Sequence, residues 1–273
     1  MSKILCPVCN CNKELKRIGS WNKINYDVCQ KCLCWYQDSE VLVKYEKNYW
    51  EEIIDPDGNK RNIKKERDFK LKNWYGEISN FVNSSKPGNI LDIGCGLGHL
   101  LSSINGKWNK YALEISQDAV GYIKQNYPDI KVLNQDLKQL TKNYSKTFDI
   151  IVLYHVIEHV KNPHELIYDV KKLLKDTGTI IIGTPNVSSL VKYWFVGNYR
   201  LLGPEHVCLY NEKSLTKLLN LHELRVKEKE FPFWKTEYFT FKNLLRLLNP
   251  YKISPPFYKS IMTFYVSPQG LKI

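Results

Sequence analysis

The stretch "NILDIGCGLGHLL", residues 89–101, decides how the rest of the chain reads. An apolar run, Ile90 to Ile93, passes directly into Gly94-Cys95-Gly96-Leu97-Gly98 and then into an apolar helix start. A strand, a glycine turn and a helix bring backbone N–H groups up to a polar ligand, because glycine alone leaves room for that approach. Such a loop also serves nucleotide phosphates, so its meaning depends on what flanks it.

Four downstream stretches supply that context. "YALEIS" (111–116) gives a second strand ending in Glu114. Its distance from Asp92 suits a carboxylate that accepts both hydroxyls of a ribose. "IKVLNQDL" (130–137) gives a third strand ending near Asp136, and "FDIIVLYHVIEHV" (148–160) a fourth. "LLKDTGTIIIGTPN" (173–186) reads as a helix end, a turn and a fifth strand. Strands alternating with helices at this rhythm predict an α/β fold with a doubly wound, Rossmann-like parallel sheet.

In these motifs residues 88–186 resemble a class I S-adenosylmethionine-dependent methyltransferase, whose sheet has seven strands. The resemblance implies S-adenosylmethionine as cofactor, with Asp92, Gly94, Cys95, Gly96 and Gly98 along its methionine and ribose part. It further implies Glu114 on the ribose, Ile115 packed on adenine, Asp136 and Leu137 at the adenine edge, and Tyr154 and His155 facing the sulfonium.

The cysteines define a second module. Six of the eight lie no further along the chain than Cys34, and Cys6, Cys9, Cys29 and Cys32 form two C-x-x-C pairs. Two knuckles at that spacing can offer four thiolates to one tetrahedral Zn²⁺, with "KRIGSW" and "KINYDV" as the hairpin between them. Four protein ligands leave no open coordination position, so the expected zinc is structural. The expected organisation is a zinc ribbon over 1–40, a helical connector over 41–86, and a methyltransferase domain over 87–273 with lid insertions at 187–210 and 235–258.

In the connector, Tyr45, Tyr49 and Trp50 have helical spacing, as do Phe69, Trp74, Ile78 and Phe81, with Pro56-Asp57-Gly58 as a turn between. The first set is expected in core contacts, with Tyr45 and Tyr49 reaching an active site as the alternative. Residues 187–273 resemble sugar-modifying and natural-product methyltransferases, whose C-methylating sugar enzymes place a Glu-His where this chain has Glu205-His206. Those enzymes carry a further C-terminal domain, so transfer to oxygen is favoured here over transfer to carbon. Leu244, Leu245, Leu247 and Leu248 are expected on the core face of a lid, with a basic amphipathic helix resting on a membrane as the alternative.

"HVIEH", residues 155–159, also matches the H-x-x-E-H pattern of inverted zinc peptidases, but there the motif lies within one helix. Here it straddles the end of an apolar strand, which excludes the peptidase reading. Ubiquinone-pathway O-methyltransferases resemble this segment and bind a divalent ion there, with a carboxylate in place of His155. Acceptor deprotonation calls for a base with a pKa near neutrality. His206, oriented by Glu205, is the first candidate, and His159 and His155 follow.

The formal charge of +12 comes from 34 Lys and 6 Arg against 28 acids. So lysine-heavy a balance argues for a solvated surface and against a selected nucleic-acid groove, since Arg supplies the bidentate forks. No long apolar run predicts a membrane span or secretory leader, which points to a cytoplasmic protein. The expected acceptor is a small molecule, a sugar or anionic glycan precursor, with peripheral membrane contact compatible. The alternative is an RNA methyltransferase that docks RNA through the ribbon and the basic surface.

Overall fold

The computed structural model describes residues 5–11, 15–21, 24–37, 49–54, 60–73, 75–189, 194–195, 199–203, 205–232, 239–255 and 257–270. Tyr45, Trp74 and the Pro56-Asp57-Gly58 turn lie outside them, as does the start of the 235–258 insertion. The chain divides into two compact units, one of residues 1–44, 155–167 and 183–263, the other of residues 45–154, 168–182 and 264–273.

In the first unit, β1 (Leu15–Trp21) and β2 (Ile24–Cys29) form the hairpin expected between the cysteine pairs, with Leu15 opposite Cys29 and Trp21 opposite Ile24. The short strand β3 (Trp35–Gln37) continues the sheet. Another pair, β4 (Ile53–Ile54) and β5 (Lys60–Arg61), is antiparallel and belongs to the second unit.

The glycine-rich turn follows β6 (Asn89–Ile93), whose last four residues are all buried. Beside it run β7 (Asn109–Leu113), β8 (Ile130–Leu133) and β9 (Phe148–Tyr154), and the pairs β6–β7, β6–β9 and β7–β8 are parallel. Strands buried on both faces read as continuous runs such as "DIIVLY", because helices cover each side. Further on come β10 (Leu174–Pro185), the two-residue β11 (Cys208–Leu209), β12 (Leu224–Glu230) and β13 (Ile261–Pro268). The seven-stranded sheet has the order β12-β13-β10-β9-β6-β7-β8, while β11 joins the cysteine hairpin in a four-stranded sheet β1-β2-β3-β11. The order turns back at β6, so its carboxyl end opens at the switch point of a doubly wound sheet, where such folds bind ligands.

Among the described residues the helices are α1 (Arg67–Asn73), α2 (Gly76–Ser84), α3 (His99–Ser103), α4 (Gln117–Asn126), α5 (Leu137–Asn143), α6 (Pro163–Leu173), α7 (Glu212–Leu221) and α8 (Phe241–Arg246). Ile78 and Val82 of α2 enter a core with Ile90, Leu101, Ile123, Val152 and Tyr265, and Phe81 packs beside it. Of the face read from sequence, Ile78 is buried and Phe81 packs beside that core. Tyr49 and Trp50 differ, since they lie in a turn rather than a helix.

Two further expectations are corrected. "KDTG" (175–178) is strand, not turn: β10 begins at Leu174, where Lys175 pairs with Asp149 at 2.8 Å and Lys146 with Asp176 at 2.6 Å. The leucines of α8 and the turn after it form no core face, because the helix buries none of its residues.

Candidate functional site

The second unit holds the glycine loop. Gly94, Gly96 and Gly98 all have positive φ, at 68°, 55° and 71°, the left-handed conformation that a side chain disfavours. A Cβ on Gly96 would come within 2.9 Å of the Trp50 ring, whose Nε1–H donates to Ser116 Oγ at 3.2 Å. Trp50 thus lies against the loop, a role that its sequence position near Tyr49 does not announce.

Glu114, just past β7, ties the loop to the second strand. Its Oε2 accepts Gly96 N–H at 2.8 Å, and its Oε1 accepts the N–H groups of Ile115 and Ser116 at 2.8 and 2.9 Å. A carboxylate offers about four acceptor directions, so the three backbone bonds leave room for a hydroxyl. Asp92 is buried in β6; burial first, and then the charge of Glu114, push its carboxyl well above the usual range. Cys95 is shifted upward likewise, by burial and by Asp92 and Glu114.

Ile115 is 71% exposed despite its apolar side chain, as a residue kept for packing on a flat ring would be. Asp136 caps α5 by accepting Gln139 N–H at 2.7 Å, with Leu137 as the first helical residue. Tyr154 closes β9 with its ring edge-on to Tyr75, 5.3 Å between centroids. Three positive-φ glycines, a carboxylate at the end of the second strand and an exposed apolar neighbour fit an adenosyl cofactor.

The first unit holds the histidines. His155 has φ of 56°, a left-handed residue immediately after β9, and a single 3₁₀ turn follows at Ile157–His159. This break keeps "HVIEH" off a single helical face. It brings His155 Nδ1–H to donate to Glu158 Oε1 at 2.8 Å, while Thr184 Oγ donates to Glu158 Oε2 at 2.9 Å. Burial alone would raise Glu158; the His155 hydrogen bond and the charges of His155, His159 and His206 outweigh it and hold the carboxyl at about 2.

His159 Nδ1–H donates to the Glu205 carbonyl at 2.6 Å, and His206 Nδ1–H to the Leu201 carbonyl at 2.8 Å. The two rings lie 5.2 Å apart at 36°. Both Nδ1 atoms are thereby fixed as donors, so the lone pair of a neutral ring sits on Nε2, which in His159 lies 4.0 Å from Glu158 Oε1. Burial lowers His206, against the raising influence of Glu158, so its ring is neutral near pH 7. The expected orientation of His206 by the Glu205 carboxylate is corrected: the Leu201 carbonyl sets the ring, and Glu205 contributes its own carbonyl to His159. Ligand atoms of Glu158, His159 and His206 lie within 4.8 Å of one another, close enough to share one ion. Thr184, missed in the sequence, gives the second oxygen of Glu158 a donor.

The cysteine cluster is also in the first unit. The sulfurs of Cys6, Cys9, Cys29 and Cys32 lie within 4.8 Å of one another, with Cys6–Cys32 and Cys9–Cys29 both at 3.5 Å. A tetrahedral Zn–S site with bonds of ~2.3 Å needs sulfurs ~3.8 Å apart, so the donor set fits. The knuckles repeat one geometry: Cys6 N–H donates to Cys11 O and Cys29 N–H to Cys34 O, each at 3.0 Å, and Asn10 and Leu33 both take positive φ. Without a metal, thiols of this cluster shift in opposite directions: the Cys32 hydrogen bond leads in drawing Cys6 down to about 5, burial leads in raising Cys9 to about 11, and the Cys6 hydrogen bond leads in raising Cys32. Cys34 sits outside the set, its sulfur 3.0 Å from that of Cys208.

Comparison with known proteins agrees with this geometry. The family described as a methyltransferase domain matches residues 65–229. The ubiquinone biosynthesis O-methyltransferase of Glaesserella parasuis is 30% identical over 208 residues, 72% of this chain and 80% of that protein. Its namesake in Rickettsia canadensis is 29% identical over 157 residues, 55% of this chain and 64% of that protein. Among solved structures, a SAM-dependent methyltransferase from Archaeoglobus fulgidus superposes with a TM-score of 0.52 at 18% identity, covering 74% of this chain and 96% of that one. One from Clostridium acetobutylicum gives 0.51 at 14% identity, covering 76% and 95%. Sequence and fold together make the chain a member of the methyltransferase-domain family, an S-adenosylmethionine-dependent methyltransferase of class I.

Proposed function

We propose that the chain methylates a hydroxyl oxygen of a small-molecule acceptor, with His206 as general base. The observation that carries this reading is the pinned pair of imidazoles, His159 and His206, each with Nδ1–H spent on a carbonyl and Nε2 open beside the buried carboxylate of Glu158. S-adenosylmethionine, when bound, supplies a sulfonium methyl group for in-line displacement. The Gly94–Gly98 loop and Glu114 would hold it, and its sulfur would take the electron pair of the carbon–sulfur bond given up when the methyl group passes to the acceptor oxygen. His206 Nε2 takes the hydroxyl proton, and the negative charge of Glu158 stabilises the imidazolium that results. His155 and Thr184 act on Glu158 and are positioning residues.

The acceptor assigned is a sugar or anionic glycan precursor, supported by the Glu205-His206 resemblance and by the +12 charge. A phenolic hydroxyl is the second reading, favoured by the names of the Glaesserella and Rickettsia relatives. The four-cysteine cluster we assign to a structural zinc that fixes the amino-terminal hairpin.

Turnover of labelled S-adenosylmethionine on nucleotide sugars and on catechols separates the two acceptor classes. His206→Ala should lower kcat by ~10²–10⁴-fold with cofactor affinity unchanged. Strict dependence on added Mg²⁺ would instead make Glu158, His159 and His206 ligands of a catalytic ion, and full activity of His206→Ala would remove the general-base role.

A further inference from the structure

Among the described residues, 239–255 and 257–258 present several apolar side chains to solvent. Thr240 caps α8 by accepting Asn243 N–H at 3.1 Å, and the helix then buries none of its residues. Phe241 is 76% exposed, Leu245 51%, Leu248 78% and Tyr251 91%. Phe241 and Leu245 stand at i and i+4 on α8, and Leu248 follows in the turn beyond its end. The amphipathic α7 differs, because it buries Leu215, Leu218 and Leu219. An exposed stripe of this kind marks an interaction surface.

Charge identifies the partner. From residue 238 to residue 273 the sequence contains no Asp or Glu, while Lys242 and Lys252 are exposed within and just beyond the stripe. We propose that this face docks the protein peripherally on an anionic lipid surface, apolar side chains entering the headgroup boundary and the lysines meeting lipid phosphates. A second copy of the chain is a poorer occupant. A twofold pairing of the stripe would bring the lysines of both copies together with no acid in the segment to offset them. Among the described residues no helix is long and apolar enough to cross a membrane, so the contact lies on the surface of the bilayer.

The test is co-sedimentation of the full chain with vesicles of phosphatidylcholine alone and with vesicles that mix phosphatidylcholine and phosphatidylglycerol. Binding is expected on the anionic vesicles only, weakening as salt is raised to about 0.5 M. Phe241→Ser with Leu248→Ser should weaken it at least tenfold, and each of Lys242→Gln and Lys252→Gln about fivefold. Calorimetric binding of S-adenosylhomocysteine serves as the folding check on every variant. Absence of binding, equal binding to neutral vesicles, or salt-insensitive binding would each overturn the proposal. So would a vesicle-free wild-type dimer that Phe241→Ser with Leu248→Ser turns into monomer, which would assign the stripe to a second copy.

Discussion

Glu158→Gln keeps the shape of a fully buried side chain and removes its charge, so it measures what the histidine cluster contributes to stability. A carboxyl held at about 2 against an ordinary value of 4.5 corresponds to about 3 kcal/mol favouring the folded state. The sign follows from the direction of the shift. The folded pKa is depressed, so this stabilisation is present in full above pH 4.5 and is lost as pH falls toward 2. Urea unfolding of wild type and Glu158→Gln between pH 7 and pH 2.5 should show the wild type more stable by up to about 3 kcal/mol at pH 5–7. The gap should close on acidification. Cofactor affinity should stay near wild type, because Glu158 makes none of the glycine-loop contacts. A constant gap across the range, or none at pH 6, would refute the claim that these histidines hold the carboxylate ionised.

Gly96→Ala should weaken cofactor binding tenfold or more, since it adds left-handed strain of about 1–2 kcal/mol to a 2.9 Å clash with Trp50. Adding Trp50→Ala relieves only the clash, so calorimetry on the double variant should show partial recovery, and full recovery would mean that the strain is immaterial. Glu114→Gln should loosen the loop as well as the ligand, because hydrogen bonds to a charged acceptor are worth ~1.5–3 kcal/mol each. Faster hydrogen exchange at Gly96, Ile115 and Ser116 is the readout, and unchanged protection would count against it. Metal analysis should find about one zinc per chain and its loss in Cys29→Ser with Cys32→Ser. Cys34→Ser should retain the metal, since Cys34 faces Cys208; loss there would mean the ligand set is wrong.

What could be read in advance followed from periodicity and spacing. The parallel strands were legible because burial on both faces forces near-continuous Val, Ile and Leu, as in "DIIVLY". The four sulfurs were legible because C-x-x-C spacing is itself the geometry of a knuckle. Features built by distant chain segments were not. Trp50 meets Gly96 and Ser116, both far along the chain from it, and nothing local to "YEKNYW" encodes that approach. Thr184 reaches Glu158 from the end of β10, and the Glu205 carbonyl reaches His159 across 46 positions of the chain.

The same limit explains "KDTG" and the α8 leucines. Asp and Gly read as a turn in isolation, yet the ion pairs Lys175–Asp149 and Lys146–Asp176 flank an extended chain there. A Cβ at Gly178 would meet Leu174 Cδ1 at 2.7 Å and the Asp149 carbonyl at 3.0 Å, so this glycine serves close packing rather than a turn. A leucine stripe in a sequence states that something apolar must cover it, but not whether the cover belongs to the same chain. For "HVIEH" the deciding feature is one backbone angle, the positive φ of His155. It ends the strand sharply enough to turn a zinc-peptidase pattern into a buried Glu158 ringed by three imidazoles, and strain of that kind, of order 1–3 kcal/mol, persists only where the surrounding contacts impose it.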